Sequence, residues 1–214
     1  MIGFYDYTVV LTYISFASSI CGMFLVGTGH IQWALFCLAL SGLLDMFDGK
    51  VARTKKDRTE DEKRFGIQID SLCDIVCFGV LPILICYRIG MNHVIGILIL
   101  IFYGLAGLIR LAYFNVMEEH RQEETDENRK YYQGLPITSM AIALPLVFTV
   151  FSIVPMFKCY LVIALHVLVL VIGFLFIKNF KFRKPTNKEL VVLVLIVAAA
   201  VIRIVFIWKG HPRP

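Results

Sequence analysis

The sequence predicts an all-α fold, a polytopic integral membrane helix bundle, and three observations carry that prediction. Hydrophobic residues fill 58% of the 214 positions against 17% charged, with a mean hydropathy of +0.76, more apolar than a soluble domain of this size sustains. Seven apolar runs, several with almost no charge, approach the ~20 residues that cross a ~30 Å hydrocarbon layer. None alternates polar and apolar residues as a barrel strand does, so each must close its backbone hydrogen bonds within a helix.

In chain order the runs are 8–27, 31–53, 65–87, 93–117, 136–154, 158–177 and 189–208. The first reads as a span rather than a cleaved leader, because Met1 to Tyr7 has no basic start and no small-residue cleavage site follows. Pro145 and Pro155 leave room for a broken or re-entrant piece near the fifth run. Basic residues gather in the connections 53–65, 118–135 and 178–188, which the positive-inside rule places in the cytoplasm. The amino terminus is then cytoplasmic, the carboxyl terminus outside, and Trp33 and Trp208 mark the outer interface.

The net charge of +5 belongs to these loops, so it calls for no nucleic-acid partner. The stretch 118–133 reads as a solvated connection, while Lys178 to Pro185 interleaves cations with Phe180 and Phe182, as either a surface-lying segment or an ordinary inside loop. Six cysteines lie in or beside apolar runs without paired zinc spacing and read as free thiols, with Cys73 and Cys77 as small packing residues. Five scattered histidines argue against histidine catalysis. Gly42, Gly79, Gly104 and Gly107 suit close helix packing and permit a dimer interface.

The chemistry concentrates between Asp45 and Asp74. Asp45 and Asp48 are three apart and Asp70 and Asp74 four apart, so each pair shares one helix face and two helices can join all four. A carboxylate in hydrocarbon costs at least a few kcal/mol, so four together require cations. Caps or pairing with Lys50 and Arg53 explain one or two acids but not two in-phase pairs. Hard oxygen donors select Mg²⁺, Mn²⁺ or Ca²⁺ over zinc, and two ions fit four carboxylates. Gly49 and Ala52 keep the neighbouring surface small and Arg53 adds a cation, which suits a phosphate-bearing group. The basic loop places this cage at the cytoplasmic end.

The order Asp45-x2-Asp48-Gly49-x2-Ala52-Arg53, then Gly66-x3-Asp70-x3-Asp74, resembles the motif of the CDP-alcohol phosphatidyltransferase family, membrane enzymes that move a phosphatidyl group from a CDP-linked lipid to an alcohol. Phe65 to Gly79, Arg110 to Asn115 and Gly134 to Pro136 resemble its phosphatidylserine synthase branch. Twelve residues separate Arg53 from Gly66, more than is common in the family, and its usual Pro-Asn pair is missing ahead of Thr12, where Thr8 and Val9 stand.

The resemblance implies a single domain over 1–214, a six-helix core about 8–177 with one extra span about 189–208, and a homodimer in the cell membrane. It implies that Asp45, Asp48, Asp70 and Asp74 hold Mg or Mn, that Asp74 is also the general base, and that Gly49, Ala52, Arg53 and Gly66 border CDP-diacylglycerol. L-serine is the implied acceptor, with CMP as the leaving group.

Arg110, inside the fourth run, either holds the acceptor's carboxylate or phosphate or snorkels to the inner interface. Arg203 sits in the last run without an assigned role. Glycerol 3-phosphate, inositol phosphate or an archaeal-type lipid donor would use the same chemistry, though no basic cluster in the spans calls for a phosphorylated acceptor. A divalent-cation transporter would need acids reaching both sides, and a non-catalytic scaffold needs none.

Overall fold

A computed structural model describes residues 3–52, 54–55, 57, 59–124, 131–153, 160–183 and 187–207. Arg53, Pro155, Cys159 and Trp208 fall outside them. Helices dominate: α1 (Val10–Gly27), entered through a short 3-10 turn at Tyr7–Val9, α2 (Ile31–Ala52), α3 (Glu60–Asp74), α4 (Leu81–Ile89), α5 (Val94–Glu124), α6 (Met140–Ile153), α7 (Leu161–Ile177) and α8 (Asn187–Ile207). A π-helical segment, Ile75–Val80, joins α3 to α4 without a break, so the third span runs 30 residues from Glu60 to Ile89. Four spans, Tyr7–Gly27, Ile31–Ala52, Glu60–Ile89 and Val94–Glu118, are long and apolar enough to cross a bilayer, and two shorter apolar helices, Ile137–Phe151 and Leu161–Ile177, follow. The chain is a polytopic membrane helix bundle.

The all-α prediction holds, with one short ribbon between loops added to the bundle. Tyr131–Gln133 (β1) pairs antiparallel with Lys181–Arg183 (β2), tying the connection after α5 to the one before α8. The ribbon starts at Gly134, whose φ of +72° is open to glycine at little cost and whose N–H reaches the Phe180 carbonyl at 2.7 Å. α5 also continues to Glu124, so the first part of the predicted solvated loop is helix.

The third span begins at Glu60, earlier than the apolar run, because a capping box sets its start. Thr59 Oγ1 accepts from Glu62 N–H at 3.2 Å and Glu62 Oε2 accepts from Thr59 N–H at 2.8 Å, satisfying two otherwise orphaned donors. Pro145 lies inside α6 without breaking it.

Close packing follows from small residues. The buried stripe Thr12, Ser15, Ser19, Gly22 and Val26 faces inward on α1, and α1 packs chiefly on α2. A Cβ at Gly42 would stand 2.6 Å from that of Ala141, so α2 and α6 touch nearly backbone to backbone. α5 lies on α7, where a Cβ at Gly173 would meet Tyr103 Cα at 3.3 Å. α8 rests on α2 and α6. The core gathers Leu35, Leu38, Phe78, Leu81, Tyr103, Met140 and Leu144, all at 1% exposure or less. Outward faces are rich in exposed Leu, Ile, Val and Phe, as a surface bathed in lipid requires.

Candidate active site

α2 and the third span run antiparallel, so their carboxylates meet in crossed order. Asp45 lies against Asp74 and Asp48 against Asp70. One carboxylate oxygen from each of Asp45, Asp70 and Asp74 falls within 4.8 Å of the others. Asp48 stands beside this trio with 9% of its surface exposed and accepts a hydrogen bond from Thr12 Oγ1 at 3.3 Å. Carboxyl groups hold such contacts only with protons or cations between them.

The donor set fits a hard divalent ion. Opposite oxygens around six-coordinate Mg²⁺ lie ~4.2 Å apart, from metal–oxygen distances of ~2.1 Å. A spread of 4.8 Å therefore closes with small side-chain rotations.

Gly49, next to Asp48, is exposed, and a Cβ there would meet nothing within 4 Å. The space beside the cage is open. Ala52 ends α2 and Gly66 sits in the first half of α3, both half-buried, while Arg53 lies outside the described residues.

Asp74 is the last residue of α3 and the π-helical segment begins at Ile75. π-turns recur at functional sites because they re-aim one side chain within a helix. Here the local cause is visible: Pro82 has no N–H to give the Phe78 carbonyl one turn earlier, and the Tyr103 hydroxyl from α5 donates to that carbonyl instead.

Arg110 is 9% exposed on α5. Its Nη1 packs 2.9 Å from where a Gly134 Cβ would be, beside the Phe176 and Lys178 carbonyls at the end of α7. It is buried under the ribbon turn rather than snorkelling along lipid. Arg203 is exposed on α8, four residues before the helix's described end at Ile207, closer to a helix end than to mid-span.

Two polar groupings were not legible as units. Ser15, Ser19 and Ser41 interlock between α1 and α2: Ser15 Oγ donates to Ser41 O at 3.2 Å, Ser41 Oγ to Ser15 O at 3.0 Å, and Ser19 Oγ meets Ser41 Oγ at 2.9 Å. Beside α3, Ser71 Oγ donates to Asn115 Oδ1 at 2.6 Å and Asn115 Nδ2 to Gln68 Oε1 at 3.4 Å. The latter three line a cleft of about 140 Å³ between α3 and α5. The only advance signal was polar side chains inside apolar runs, at helical spacing for Ser15 and Ser19.

Fold and site together define a class of membrane-embedded helical bundle in which two adjacent spans bring their carboxylates into one cluster. A family profile described as CDP-alcohol phosphatidyltransferase matches residues 8–172, and the chain belongs to that family.

The chain is also similar to proteins named CDP-diacylglycerol–serine O-phosphatidyltransferase. One from Saccharomyces cerevisiae is 36% identical over 129 residues, 59% of this chain and 45% of the relative. One from Helicobacter pylori is 34% identical over 127 residues, 58% and 49% of the two chains. One from Methanocaldococcus jannaschii is 31% identical over 149 residues, 70% and 63%. The matched region thus spans about half the length of the first two relatives.

Proposed function

We propose that the chain transfers a phosphatidyl group from CDP-diacylglycerol to the hydroxyl of L-serine, releasing CMP. The observation that carries this reading is the crossed carboxylate cluster on α2 and α3, in a chain of this family similar to serine-named relatives across yeast, bacteria and archaea.

Asp45, Asp48, Asp70 and Asp74 are the residues that would hold one or two Mg²⁺ or Mn²⁺ ions. Such ions neutralise a diphosphate and stabilise entering and leaving oxygens in an in-line displacement. Thr12 fixes Asp48 through its hydroxyl, limiting that carboxylate's rotation. Open space at Gly49 lets the diphosphate approach the helix, with Ala52 and Gly66 along the same border; Arg53 is assigned to the CDP group from the family resemblance alone.

Asp74 accepts the serine hydroxyl proton at a carboxylate oxygen as that hydroxyl's oxygen bonds to the lipid-linked phosphorus. The bond from phosphorus to the CMP oxygen breaks and CMP leaves with the electron pair. Asp74 sits at the α3/π junction, one turn after Asp70. Buried Arg110 is the candidate for the serine carboxylate, since guanidinium pairs bidentately with such a group.

The basic loops support a site open to the cytoplasm in the cell membrane, and the family resemblance supports a homodimer of single-domain chains. Incubating purified protein with CDP-diacylglycerol, Mn²⁺ and labelled serine should yield phosphatidylserine and CMP. CMP formed with glycerol 3-phosphate or inositol phosphate, but not serine, would reassign the acceptor.

A further inference from the structure

The strongest feature outside the proposed reaction is a pair of thiols behind the carboxylates. Cys73 in α3 and Cys77 in the π-helical segment are 6% and 0% exposed, and their sulfurs lie 3.5 Å apart. Two thiolates on one tetrahedral zinc, at ~2.3 Å each, stand ~3.8 Å apart. The pair already has the bite of a soft-metal site.

Its surroundings add donors. Cys73 Sγ points at the Thr12 carbonyl at 3.3 Å, and Cys77 Sγ at the Ser15 carbonyl at 3.6 Å, with Ser15 Oγ at 3.7 Å. The two S–H protons thus occupy a spot ringed by two sulfurs and two carbonyl oxygens, between α1 and the third span. Asp70 and Asp74 flank Cys73 along the same helix.

We propose that Cys73 and Cys77 bind one soft divalent cation of the Zn²⁺ or Cd²⁺ kind, and that its binding lowers turnover. Thiolates prefer such ions over Mg²⁺, which the adjacent carboxylates suit better. The negative cluster next door raises the local concentration of any divalent cation. On binding, each thiol gives its proton to solvent and two metal–sulfur bonds replace two S–H···O contacts. The cross-link spans the α3/π junction at which Asp74 sits, so it locks the catalytic helix in one geometry. Binding stands on the thiol geometry alone, whereas the effect on turnover rests on the transferase reading.

The test titrates Cd²⁺ into the purified full-length chain in detergent with excess Mg²⁺, following the ultraviolet thiolate-to-cadmium band. One ion per chain should saturate a band that Mg²⁺ does not displace. Cys77→Ser, nearly isosteric and still able to donate to Ser15, and Cys73→Ala should each weaken binding about tenfold or more. Cys37→Ala, at another buried thiol, should leave this binding in place. No band, or one unchanged in both Cys77→Ser and Cys73→Ala, overturns the site.

In the activity arm, Cys77→Ser should keep its Mg²⁺-supported CMP release and need about tenfold more Cd²⁺ for inhibition. Equal inhibition of both proteins overturns the effect on turnover. A cadmium band in protein that releases no CMP with any acceptor would keep the thiol site and defeat the transferase reading.

Discussion

At the scale of single residues, the account divides the carboxylates by their neighbours. Asp74 ends α3 against Asp45 and, in the proposed reaction, receives a proton. Asp74→Asn should retain CDP-lipid binding, measured by nucleotide-lipid pull-down, while CMP release falls by roughly 10²–10⁴. Full turnover in that variant would remove Asp74 from the base role. Asp48 depends instead on Thr12. Thr12→Val should leave kcat close to normal at saturating Mn²⁺ but raise the Mn²⁺ needed for half-maximal rate about 10–100-fold, as loss of a group that orients a metal ligand does. The in-phase spacing made the carboxylate set legible in the sequence, since it is a property of one helix at a time. The Thr12 contact joins residues 36 apart in the chain, and only packing of α1 on α2 creates it.

At the scale of elements, the third span and its entry loop matter most. Tyr103 supplies the hydrogen bond that Pro82 cannot give the Phe78 carbonyl. Tyr103→Phe leaves that buried carbonyl without its partner and should lower stability by ~1–3 kcal/mol, read as an earlier denaturation midpoint in detergent. In that loop, Lys55 Nζ bonds Asp6 at 2.6 Å and Glu62 at 3.0 Å, Tyr7 OH meets Thr54 Oγ1 at 3.1 Å, and Phe4 packs edge-on against Phe65.

These contacts clasp the chain start to the loop whose extra length departs from the family pattern. The Lys55 ammonium holds the Asp6 carboxyl below its ordinary value, and Asp6 followed by Glu62 holds Lys55 above its own. Asp6 therefore stabilises the fold above the ordinary carboxylate range and loses that contribution as pH falls through its depressed pKa. Lys55 stabilises below its ordinary pKa and loses its contribution as pH climbs through the raised one. Asp6→Asn should flatten the acid side of the stability profile; an unchanged acid limb would show the clasp to be idle. Apolar runs announced the helices, and Thr59 with Glu62 carried the true start of α3 in plain view. The π-helical turn and the β1–β2 ribbon were not legible, because the first involves Tyr103 of α5 reaching the Phe78 carbonyl and the second depends on two loops about 50 residues apart.

At the scale of the whole molecule, hydropathy sets the class. Seven apolar stretches became a bundle with lipid-facing Leu, Ile and Val outside and carboxylates gathered where the last turns of α2 meet the first half of the third span. A single carboxylate cluster among the described residues suits a reaction centre better than an ion pathway, which needs polar groups through the full thickness. Family and bundle were readable before any coordinates, since motif order and hydropathy are both linear properties. The seat of Arg110 under Gly134 was not, because it depends on where the ribbon crosses α5.

The most direct test of the central claim is CMP release by purified protein given CDP-diacylglycerol, Mg²⁺ or Mn²⁺ and L-serine. The account predicts serine-dependent CMP, abolished by a chelator of divalent ions and restored by adding Mn²⁺. No CMP with any alcohol acceptor, under either metal, would contradict it.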